Sequence, residues 1–235
     1  MATRPVFVAC ESGASYVRTH EIEFQWFPGM ALKQAQRSVA ALQDEAKKRL
    51  RVSRILEISS KSNCELGVKL SAFNLPITTI RHERTFSVEC AYQSSKVFQH
   101  GGPFVDLLDA KSIDAKRDPR LNQHGRLIKY RFFGTDWVLE PRTAFYDWLY
   151  MNALHKQDEL ASEVLQFDAF SDIAFNPERS INCQAYSAAL YVSLSKRGLL
   201  TTEMLRDREF YLEVIGRAKV ESSREDVVSQ ERLAF

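Results

Sequence analysis

Between Met30 and Arg51, apolar residues recur at Leu32, Ala35, Val39, Leu42, Ala46 and Leu50. Steps of three and four put them on one face of a helix, so the stripe predicts a helix over 31–50. Because only one face is apolar, that helix must lie against a core with its other side wet. Lys33, Gln36, Arg37, Glu45, Lys47 and Lys48 fill the other side. Solvation accounts for them without a partner, and contact with nucleic acid is the alternative. Upstream, PVFVA (5–9) and HEIEFQWF (20–27) carry strand-like apolar and aromatic content. The second alternates at Ile22, Phe24 and Trp26, and the pair predicts a small ribbon ended by Pro28-Gly29.

Downstream, RILEISS (54–60) predicts a short strand and SKSNCELG (60–67) a loop able to line a pocket. Residues 87–98 predict a helix opened by Ser87 and stopped by Gly101-Gly102-Pro103, with a second short helix over Phe104–Leu108. Pro141 suits the first turn of a helix through RTAFYDWLYMNALHKQ, and another helical pattern spans Glu159–Leu165. Residues 167–180 break period and read as an irregular loop, a common place for a site. Cys183, Tyr186, Leu190 and Leu194 then make a helical stripe ending at Gly198, and a last helix is expected over 201–215. The expected fold is mainly α with a small antiparallel β element, α+β by strict count. Its parts are a ribbon and long helix over 1–53, a catalytic domain over 54–219 and a polar tail over 220–235.

A composition of 45% hydrophobic and 26% charged residues excludes a globally disordered chain. A net charge of +2 provides no whole-molecule field for a polyanion, so any positive site must be local. From Lys111 to Arg131, seven basic residues meet only Asp114 and Asp118. No apolar run of about 20 residues occurs, and the start shows no basic-then-apolar segment, so a soluble cytoplasmic protein without membrane contact is expected. Cys10, Cys64, Cys90 and Cys183 are too scattered for a zinc site or a staple, and no metal is expected.

G-x-S-x-G, the phosphate loop ending GK[ST], H-E-x-x-H and the dinucleotide fingerprint are all missing from the sequence. What stands out is Glu89, Gln93 and Lys96, which share one face if 87–98 is helical, with Tyr92 and Cys90 pointing elsewhere. Such a face is either an exposed, mutually stabilising set or the wall of a cleft. Asp172 is either a turn former or, facing Glu89, half of an acid–base pair. Trp137 is either core or a platform for a purine. Lys116, Arg117 and Arg120 are either a solvated basic loop or phosphate ligands.

The order LGVKLSAFNLPI, TFSVECAYQSSKVFQHGGPFVDLL, AKRDPR, DWVLEPRTAFYDWLYMNAL and FSDIAFNPERSINCQAYSAAL resembles the NADAR family, which includes YbiA-like N-glycosidases. The likeness is greatest to the branch found beside DarT-type ADP-ribosyltransferase toxins, and it spans about residues 54–215. The resemblance implies catalytic roles for Glu89, Asp172, Lys96 and Trp137. It implies substrate-binding roles for Ser87, Tyr92, Gln93, Lys116, Arg117 and Asn182, with no cofactor and no metal. The activity it implies is removal of ADP-ribose from modified guanine in DNA or RNA, as an antitoxin whose partner is the cognate toxin. Two alternatives stay open: a YbiA-like hydrolase of ribosylamino-pyrimidine phosphates, and a non-catalytic immunity protein that binds ADP-ribose. Where YbiA-like members carry Asp-x-x-Trp-Gly, this chain reads DIAF. Glu89 and Asp172 would divide acid and base roles at C1 of the ribose, or Lys96 would attack a ring-opened ribosylamine as a Schiff base.

Overall fold

A computed structural model of the chain describes residues 1–79, 83–178 and 180–217. The tail expected over 220–235 lies outside the described residues. The fold is α+β, dominated by helix, with three small sheets.

Strands β1 (Ala2–Ala9) and β2 (Val17–Phe24) pair antiparallel from Ala2↔Phe24 to Ala9↔Val17. β1 starts three residues before the expected segment and β2 covers 17–24 rather than 20–27, so Trp26 lies beyond the paired residues. They also do not stand alone. The sheet order is β2-β1-β9-β3, where β3 is Ile55–Glu57 and β9 is Ala169–Ser171, and β3 and β9 run parallel. At β3 and β9 both faces of this sheet are buried. Val6, Ile55 and Ala169 point to one side, where Val39, Leu42 and Ala46 of helix α1 (Leu32–Leu50) meet them. Phe7, Leu56 and Phe170 point to the other, into the main core. The apolar stripe of 31–50 is therefore the lid of one sheet face. Its opposite side is solvated, with Lys48 and Arg49 paired to Glu45.

The main core is built on α5 (Ala144–His155) and α7 (Gln184–Lys196). Both are buried on nearly every side, so α7 is more than the single stripe of Cys183, Tyr186, Leu190 and Leu194. Ser187 of α7 donates to the buried carboxylate of Asp147 on α5. Gly198, at φ +67°, ends α7 where expected, in a left-handed conformation that glycine adopts without strain. Pro141 stands before α5 rather than inside it, its carbonyl accepting from Ala144 N–H. Helix α6 (Asp158–Val164) follows α5, and the expected last helix is two, α8 (Thr202–Arg206) and α9 (Arg208–Gly216). They break at Asp207, whose side chain caps α9 by accepting from Phe210 N–H.

The remaining elements frame a cleft. Helix α2 (Glu65–Lys69) occupies part of the segment expected to be a loop. Strands β4 (Pro76–Thr78) and β5 (Thr85–Ser87) form a hairpin leading into α3 (Val88–Ser94). β6 (Lys96–Phe98), β7 (Leu127–Phe132) and β8 (Thr135–Trp137) make an antiparallel sheet. Between them lie a short 3-10 helix at Val105–Asp109, within a residue of the short helix expected over 104–108, helix α4 (Ser112–Arg117) and a second 3-10 helix at Pro119–Asn122. Among the described residues no helix is long and apolar enough to cross a membrane.

Gly67 of α2 packs so closely that a Cβ there would collide with the carbonyl oxygen of Glu57 and the side chain of Ser62. The clash is with backbone, so the strand carrying Glu57 would have to move. Gly67→Ala is expected to lose about 2–3 kcal/mol, seen as a lower urea midpoint. An unchanged midpoint would show that α2 can shift freely from β3.

Candidate active site

Helix α3 starts where Ser87 accepts the N–H of Cys90 (3.1 Å), so the expected cap is real. It stops at Ser94 and does not reach residue 98. Ser94 and Ser95 hydroxyls both turn back onto the carbonyl of Ala91 (3.0 and 2.6 Å), competing with the helical ladder, and Val97 and Phe98 pair with β7 instead. Glu89 and Gln93 share a helix face, but Lys96 reaches the same space from β6. Tyr92, expected to point away, also faces that space.

The space is a cleft of about 1050 Å³. It brings together Glu89, Tyr92, Gln93, Lys96, Lys116, Asp172 and Asn182 of the sequence-derived set. Ser87, Arg117 and Trp137 do not line it. Ser87 is occupied as the cap and by a hydrogen bond with Ser112 (2.8 Å). Trp137 is a core residue, 4% exposed, with its ring 5.4 Å from Phe145 and 4.9 Å from Trp148. It backs the wall through Phe145, which stacks on Tyr130 at 4.7 Å. The basic segment is also less positive than its sequence suggests. Arg120 is held by Asp106 and Asp118, and Lys129 and Arg131 by Asp136.

Within the cleft, the Glu89 carboxylate is 5% exposed and accepts from Gln93 Nε2 (2.8 Å), with Lys116 Nζ at 4.0 Å. Lys116 also lies over the ring of Phe73, and Lys96 Nζ lies 4.8 Å from the ring centre of Tyr92. Burial lowers the Lys96 ammonium to about 8, against the pull of Glu89 and with a further push from Lys116. Asn182 Nδ2 donates to Tyr92 Oη (2.6 Å), which is 3.0 Å from Tyr130 Oη. Gln93 Oε1 and Asn182 Oδ1 accept from no described residue, and buried amide oxygens of this kind suit the donors of a ligand.

Asp172 sits immediately after β9. It accepts from Gln184 Nε2 (2.9 Å) and Ala174 N–H (3.0 Å). Gln184 is fixed in turn, donating to the carbonyl of Ile58 and accepting from Ala72 N–H (2.7 Å each). Burial, then the negative charge of Glu57, push the Asp172 carboxyl up to about 7, outweighing Gln184, Ala174 and Lys116. A carboxyl that is half protonated near neutrality can give a proton, and a second, cation-flanked carboxylate across the same cleft can face developing positive charge.

Sequence reasoning missed Glu57, Gln184, Tyr130 and Arg4. The first is buried behind Asp172 and the other three line the cleft. Glu57 carried the one available signal, a carboxylate inside a short apolar strand. Among the described residues no cluster of His, Cys, Asp and Glu is arranged to hold a metal ion. A family model described as DarT1-associated NADAR antitoxin matches residues 2–225. No curated protein matches the chain.

Proposed function

The chain belongs to the DarT1-associated NADAR antitoxin family, and from that premise we propose that it is an N-glycosidase removing ADP-ribose from modified guanine in nucleic acid. In this reading it reverses the product of a DarT-type toxin. The observation that carries it is one nucleotide-sized cleft faced by both Glu89 and a buried, readily protonated Asp172. Asp172 gives its proton to the exocyclic nitrogen of guanine as the bond to C1 of the ribose breaks. The Glu89 carboxylate faces the positive charge that develops at C1 and draws the proton from the attacking water. Lys116, at the cleft wall beside Glu89, supplies a cation for the diphosphate. Tyr92 and Asn182 offer neutral donors and acceptors to the sugar or base.

One observation favours a second route over the same groups. With its ammonium lowered to about 8, Lys96 holds a fraction of neutral amine at pH 7–8 and can attack C1 of a ring-opened ribosylamine, expelling the guanine amine and leaving a lysine Schiff base that water hydrolyses to free ADP-ribose. Borohydride added during turnover is then expected to leave an ADP-ribosyl adduct on Lys96, read by intact mass and peptide mapping. Undiminished turnover by Lys96→Ala would eliminate this route.

The deciding experiment incubates the purified chain with guanine-ADP-ribosylated DNA and RNA oligonucleotides and, separately, with a ribosylamino-pyrimidine phosphate. Free ADP-ribose and restored guanine are followed by mass. The expected result is release from the oligonucleotides. Preference for the pyrimidine phosphate would replace this reading with the small-metabolite one. Binding of ADP-ribose without release would replace it with an immunity protein that holds the modification.

A further inference from the structure

Glu57 is 1% exposed and no cation touches it among the described residues. Its carboxylate takes three donors instead. Ser59 Oγ (2.7 Å) and the N–H of Ile173 (2.8 Å) donate to Oε1, and Ser171 Oγ (2.6 Å) donates to Oε2. Two of these donors, Ser171 and Ile173, are the residues on either side of Asp172. The parallel register of β3 and β9 places Glu57 opposite Ser171, so this grip follows from the pairing itself.

We propose that Glu57 is the positioning residue of this site, gripping both neighbours of Asp172 to aim its carboxyl into the cleft and keeping the proton there by its own buried negative charge. The inference rests on the reading of Asp172 as proton donor and says what makes it one. Two carboxyls so close in a dry interior cannot both ionise near neutrality, and the one with more donors keeps the charge. Burial raises the Glu57 carboxyl as well, but Glu57 accepts three hydrogen bonds that oppose this and Asp172 accepts two, so of the pair Asp172 holds the proton. The other titratable groups that interact with Asp172 are Lys116 on α4, Tyr146 and Tyr150 on α5, and Cys183 at the start of α7. Burial keeps both tyrosines and the cysteine neutral, and Lys116 acts in the opposite sense. Glu57 is therefore the group that can hold the proton in place.

The test reads protonation directly, without substrate. Carboxyl-carbon NMR of the full chain follows the titration of Asp172 in the wild type and in Glu57→Gln, an isosteric change that keeps an oxygen for Ser59 and Ile173. The midpoint of Asp172 is expected to fall by about one pH unit or more, a tenfold change in proton affinity. An unmoved midpoint in a folded variant overturns the proposal and leaves Glu57 a structural clasp. If Glu57→Gln does not fold, the wild-type titration decides: Glu57 must lose its proton below the Asp172 midpoint, and a Glu57 carboxyl that stays protonated through that midpoint overturns the proposal. None of these readouts requires turnover, so they stand apart from the outcome of the cleavage assay. Where cleavage is seen, the alkaline limb of kcat/KM in Glu57→Gln is expected to move down by the same interval, with ADP-ribose affinity unchanged.

Discussion

Glu89→Gln is expected to keep ADP-ribosylated oligonucleotide bound while release of ADP-ribose slows by about 10²–10³-fold, or about 3–4 kcal/mol in barrier. The substitution conserves volume in a helix whose every residue is buried, so the fold should survive. What it removes is the negative charge at the cleft wall. The carboxylate oxygen that accepts from Gln93 and lies 4.0 Å from Lys116 becomes part of a neutral amide, and Lys116 loses its counter-charge. The ground state is nearly neutral at C1 and hardly feels that loss. The transition state carries positive charge on the ribosyl carbon and feels most of it. Single-turnover release measured beside equilibrium binding separates the two. A variant that releases ADP-ribose at a near-normal rate would show that no catalytic charge resides on α3.

Asp172→Asn is expected to lose about 10²–10⁴-fold at pH 7 and to change the shape of the pH profile. A general acid works only while protonated. Burial and the charge of Glu57 hold the Asp172 carboxyl up to about 7, so wild-type kcat/KM should fall tenfold per unit above that pH. Asn has no such proton, and the limb near 7 should vanish with the activity. If the residual rate instead rises with pH towards 8, the range in which the Lys96 ammonium titrates, it reports attack by the lysine amine. A wild-type profile with no limb near 7 would take the acid role away from Asp172.

The elements that could be read in advance are those with one wet face. The helix over 31–50 was legible because its period contrasts with the solvated Lys and Arg between the apolar positions. Strand β9 was not. Ala169 and Phe170 are buried on opposite faces of the sheet, so the three residues show no apolar–polar alternation, and the segment reads as an irregular loop. Its three residues nonetheless bind β1 to β3 and deliver Asp172 to the cleft. Lys96 shows the converse. Helical spacing placed it beside Glu89 and Gln93, and it is beside them, but the helix ends two residues earlier and β-pairing carries the lysine there. The Trp137 indole was legible as aromatic and not as buried, since core and platform use the same ring.

The sequence by itself determined the helical periodicities, the Ser87 cap, the Gly198 stop and the ordered residues whose resemblance pointed to a family, because each is a local property of neighbouring residues. Only the tertiary structure decided that Glu89 and Asp172, 83 positions apart in the chain, line one cleft, and that Glu57 lies behind the second of them. That meeting is made by strand pairing and packing across long separations, and it sets the burial and charge environment on which a carboxyl's proton affinity depends.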